Sequence, residues 1–254
     1  MPTWLEAGLW GLLGGGALVL GALIAWFARV PAAVIASVMA FGSGVLISAV
    51  AFDLMAEAAD TGGLLAAAVG FLGGAVAYLA ANAALARRGA RHRKRSGGAS
   101  GEQQPSEKEQ SGSGLAIAIG ALLDGIPESV VLGIGLLGGG GVSLSVLAAV
   151  FISNVPEGLS SAAGMKAKGR SARYVFGVWG GIAVISGLAA LVGYVALGSA
   201  PPEVVAIITA VAAGAILTMI ADTMIPEAFE RTRTWTGVIT TVGFLVAFAV
   251  ERVG

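Results

Sequence analysis

Eight mostly apolar stretches divide the chain, and each is long enough to cross a bilayer as a helix, which takes roughly 20 such residues. They cover Leu5–Ala28, Val30–Met55, Gly62–Ala86, Gly114–Leu137, Val142–Met165, Ala172–Leu197, Val204–Ala228 and Trp235–Val250. The links between them are short, with one exception. Residues 87–113, RRGARHRKRSGGASGEQQPSEKEQSGS, are basic at first and then rich in Gly, Ser, Gln and Glu. Such a segment has too little apolar surface to fold and is expected to be disordered. It leaves three spans before it, in 1–86, and five after it. The pattern predicts an all-α polytopic membrane protein.

Composition agrees. Of 254 residues, 56% are hydrophobic and only 12% charged, against nearer a quarter charged in a soluble domain. The 40 glycines suit helices that approach closely in lipid. With no cysteine, disulfides, thiolate metal sites and a Cys nucleophile are excluded. No basic stretch precedes the first apolar run, so that run reads as a retained helix.

Charge sets the expected orientation. With eight spans and the N-terminus outside, 14 of the 15 Lys and Arg fall on the inner side, and only Arg252 falls outside. Adding or losing one helix would scramble that split. Both termini are therefore expected outside and 87–113 in the cytoplasm, with its basic half beside the inner leaflet.

Two spans carry acids where lipid should exclude them. The fourth contains ALLDGIPESVVLG, with Asp124, Pro127 and Glu128; the fifth contains VFISNVPEGLSSA, with Ser153, Asn154, Pro156 and Glu157. A charge at this depth costs at least about 2.5–3.5 kcal/mol. No Lys, Arg or His lies in a span centre, so protons or a bound cation must supply the counter-charge. Asp124 and Glu128 are four apart, as are Ser153 and Glu157, while Asn154 and Glu157 are three apart. Each set thus shares a helix face. Each proline also deprives a carbonyl, of Leu123 or Ile152, of its helical partner. The two spans are joined by a short link and are expected to be neighbours, their polar faces forming one oxygen-rich cation site. Helix-gluing polar residues would be the bland explanation; it accounts for a lone Asn or Ser better than for three acids. A site that binds only protons is the other alternative.

Further acids close two other spans. AFDLMAEAAD ends the second, with Asp53 and Glu57, and ADTMIPEAFE ends the seventh, with Asp222, Glu227 and Glu230. The strings are similar and run in opposite directions through the membrane. They make spans one to three and six to eight candidates for inverted repeats with an acidic mouth on each side. Ordinary interfacial polarity would also place acids there, though Asp222 is expected to lie deepest.

These motifs resemble the ZIP (Zrt/Irt-like protein) family of divalent-metal transporters, in particular its GufA-like branch. The resemblance spans essentially the whole chain, and SNVPEGLSSAAGMKAKG is its most specific piece. It implies a 3+2+3 arrangement, with 114–167 holding the metal between the triplets in 1–86 and 168–254. It further implies uptake of zinc, or alternatively manganese or iron, across the plasma membrane into the cytoplasm. Asp124, Glu128, Ser153, Asn154 and Glu157 would be the metal site, and Asp53, Glu57, Asp222, Glu227 and Glu230 the pathway. The metal would be cargo rather than a prosthetic group, and a homodimer is an admissible assembly. The sequence departs from the family pattern at Asp124 and Gly125, where the family usually has His and Asn, and at Ser153. All-oxygen donors suit harder ions than imidazole does.

Two other classes compete. A proton- or cation-coupled carrier of another solute would want basic or aromatic groups in the span centres. An intramembrane hydrolase would want a nucleophile with a nearby His, and the sole His, His92, is in the loop. No enzymatic activity is expected.

Overall fold

In lipid a backbone can satisfy its own hydrogen bonds only as a helix or a closed barrel, and the described residues of this chain form helices joined by short links, with no strands. The computed structural model describes residues 1–87, 113–137, 139 and 141–253. The expected disordered loop therefore lies almost entirely outside the described residues. Among the described residues, eight helices are long and apolar enough to cross a membrane. They are α1 (Thr3–Phe27), α2 (Ala32–Gly62), α3 (Leu64–Leu85), α4 (Ser113–Ile134), α5 (Leu144–Ala167), α6 (Ala172–Leu197), α7 (Pro202–Thr232) and α8 (Trp235–Val253). The apolar spans predicted from the sequence correspond one to one. The outward faces are apolar as well: Leu65, Val69, Leu72, Val76 and Leu79 form an exposed stripe along α3. Spacing by threes and fours puts them on one face.

Local chemistry marks the helix ends. Ser143 and Ser171 cap α5 and α6, accepting from the amides of Val146 and Tyr174 at 3.3 Å. Gly63, with φ of 81°, makes the one-residue turn between α2 and α3, a conformation that a side chain would strain. α2 and α7 run on past their apolar stretches through further charged residues. α2 continues past Met55 to Gly62, and α7 continues past Ala228 to Thr232. Each also contains a π-helical segment, Val50–Met55 in α2 and Ile220–Met224 in α7. These segments carry Asp53 and Asp222.

Packing divides the helices into two sets. α1 lies against α5 and α6, and α4 against α6; in the other set α2 lies against α8, and α3 against α7. The sets meet chiefly where α2 touches α5 and α4 touches α7. The expectation that α4 and α5 pack as direct neighbours is corrected here. They touch only slightly, because each is drawn to a different partner by glycine.

Four helix crossings share one construction. A Cβ on Gly21 would strike the Val155 carbonyl oxygen, and one on Gly158 would strike that of Leu18, at the α1–α5 crossing. Gly133 meets the Ala190 carbonyl and Gly193 that of Val130 between α4 and α6. Gly44 meets the Thr240 carbonyl and Gly243 that of Phe41 between α2 and α8. Gly74 meets the Val211 carbonyl and Gly214 that of Phe71 between α3 and α7. In each pair, either glycine sits over the residue three positions before the other. With no apolar driving force between helices in lipid, such backbone contact is what holds them.

Candidate functional site

Three acids are buried within the spans. Asp124, Glu128 and Glu157 are 2%, 1% and 5% exposed. Ser129, Ser153, Asn154, Ser160 and Ser161 are buried with them. The result is a polar interior along α4 and α5 inside a shell of apolar helices. Both helices are α-helical straight through Pro127 and Pro156.

The hydrogen bonds show where these groups point. The Tyr78 hydroxyl of α3 donates to Asp124 Oδ1 at 2.6 Å. Asn154 donates through Nδ2 to the Gly14 carbonyl of α1 at 3.0 Å. Ser153 Oγ donates to the Val150 carbonyl of its own helix at 3.0 Å. Both bonds use donor hydrogens, and the Asn154 Oδ1 and Ser153 Oγ lone pairs are the atoms that could ligate a cation. Among the described residues, no three His, Cys, Asp or Glu side chains are grouped so as to hold a metal ion. The polar residues of α4 and α5 are buried as expected.

The acids of α2 and α7 behave unequally. Asp53 Oδ1 accepts from Ser143 Oγ at 3.1 Å and Ser145 Oγ at 2.9 Å, both at the start of α5. Asp53 and Glu57 line a small cavity of about 90 Å³, with Val131, Val146 and Thr209. Glu227 accepts from Ser160 Oγ of α5 at 2.6 Å. Asp222, by contrast, is exposed on the outer surface of its helix, and Glu230 is half-buried. Of the three acids of α7, Glu227 is the one turned toward α5. Position along a span does not report facing, and the π-helical segment changes the facing further.

Three carboxylates therefore accept hydrogen bonds across the two helix sets: Asp124 from Tyr78, Asp53 from the two serines, and Glu227 from Ser160. Tyr78, Ser143, Ser145 and Ser160 escaped the sequence reading. Ser160 could have been found, since it lies three residues beyond Glu157 on the same face. Tyr78 carried a weaker signal, a phenol in the middle of an apolar span, where a buried hydroxyl needs a partner.

No protein-family model matches the chain, and no curated protein is significantly similar to it.

Proposed function

We propose that this chain is a multi-pass transporter that carries divalent metal cations across the plasma membrane into the cytoplasm, as its resemblance to ZIP transporters implies. The burial of Asp124, Glu128 and Glu157 in apolar spans carries this reading. Acids at that depth are retained where they serve ions or protons. Glu128 and Glu157 are the central ligands, with Asp124, Ser153 and Asn154 around them. Zinc is the cargo implied by the resemblance, with manganese and iron as alternatives; carboxylate donors accept all three.

The architecture we propose is 3+2+3 with inverted repeats. Exchange α1 with α6, α2 with α7, α3 with α8 and α4 with α5. The α2–α8 crossing then becomes α7–α3, and α1–α5 becomes α6–α4. Each has its reciprocal glycine pair. The two π-helical segments also exchange. This correspondence supports the repeat, and such repeats commonly underlie alternating access.

Among the described residues no three His, Cys, Asp or Glu side chains are grouped to hold a metal ion, and this favours a second reading, a proton- or cation-coupled carrier of another solute. A competition panel in proteoliposomes distinguishes the two. Uptake of a labelled divalent ion, displaced by some of zinc, manganese, iron, cadmium and magnesium, is the expected result. A chain that takes up none of the five is not a divalent-metal transporter.

A further inference from the structure

A cleft of about 450 Å³ opens at the end of the bundle where α1 ends, α2 begins and α5 ends. Its walls are apolar, formed by Ala25, Val30, Ile35, Leu159 and Ala163. Its rim is cationic, formed by Arg29 and Lys166. Both are exposed. Lys166 Nζ donates to the Trp26 carbonyl at 2.7 Å and lies 5.3 Å from the centre of the Trp26 ring. That contact pins the ammonium over the last turn of α1, and an ammonium has two further donors to offer. Trp26 itself packs edge-on against Phe176, at 5.9 Å. Amphipathic aromatic rings of this kind mark the headgroup level of a bilayer.

We propose that this cleft binds an anionic phospholipid, with its phosphate between Arg29 and Lys166 and its glycerol and upper chains along the apolar wall. Shape and charge agree on this occupant. The wall is too apolar for a free ion, and the rim favours an anionic headgroup over a zwitterionic one. Basic pockets between membrane helices recognise anionic headgroups in this way. The inference needs only the membrane-spanning fold and stands apart from the question of cargo.

The test uses the purified full chain in mixed micelles holding equal dioleoylphosphatidylglycerol and dioleoylphosphatidylcholine, with retained lipid counted by native mass spectrometry. Wild type should retain phosphatidylglycerol preferentially. Arg29→Gln should lower that preference about fivefold, the weight of one cation near a membrane surface. Ala163→Phe, which fills the cleft without altering charge, should lower retention as well. Arg173→Gln removes an exposed cation from the start of α6, outside the cleft, and should leave retention unchanged. Equal losses in Arg29→Gln and Arg173→Gln would mean diffuse attraction rather than a site and would overturn the proposal. So would full retention in Ala163→Phe or in Arg29→Gln.

Discussion

The hydroxyl of Tyr78 and the carboxyl of Asp124 meet at 2.6 Å, and both groups are buried. A buried carboxyl that loses a donor recovers less of its desolvation cost. Tyr78→Phe should therefore lower stability in detergent by about 1–3 kcal/mol, read from a denaturation midpoint. It removes one oxygen and leaves the ring to fill its space. An unchanged midpoint would mean that the hydroxyl contributes nothing to the fold. At this scale the sequence revealed the buried acids but not their partners. Asp124, Glu128 and Glu157 stood out because charges are rare in apolar spans. Tyr78 could not be paired with Asp124 by any local rule, since the two lie on helices separated by the long loop.

Helix positions were legible from hydropathy alone, and their packing was not. Apolar length is a local property, but which helices touch depends on where glycines coincide on two separate helices. That is why α4 and α5, joined by a short link, could be taken for close neighbours when each has a different glycine partner. Gly73 and Gly74 of α3 give a controlled comparison. A Cβ on Gly74 would strike the Val211 carbonyl oxygen of α7, whereas one on Gly73 meets nothing within 4 Å. Gly74→Ala should destabilise the protein by about 1–3 kcal/mol through overpacking. Gly73→Ala should be neutral or slightly stabilising, because alanine favours the helix. Thermal unfolding of the two variants side by side reads the difference, and equal midpoints would show that the close α3–α7 approach is dispensable. The π-helical segments were likewise invisible in the sequence.

Across the whole molecule, two sets of helices meet along a polar interior, and carboxylates of α2, α4 and α7 bond across the boundary. The acids of α4 and α5 are buried there without forming a three-acid cage among the described residues. We propose that these acids carry a metal ion through the membrane. The direct measurement is divalent-metal uptake into proteoliposomes by wild type, Glu128→Ala and Glu157→Ala, each first shown to be inserted in equal amount. Removing a buried charge eases insertion, so all three proteins should reach the membrane. The account predicts concentration-dependent uptake by wild type and a fall to the level of empty vesicles in both variants. Uptake at near wild-type rates by both variants would contradict it.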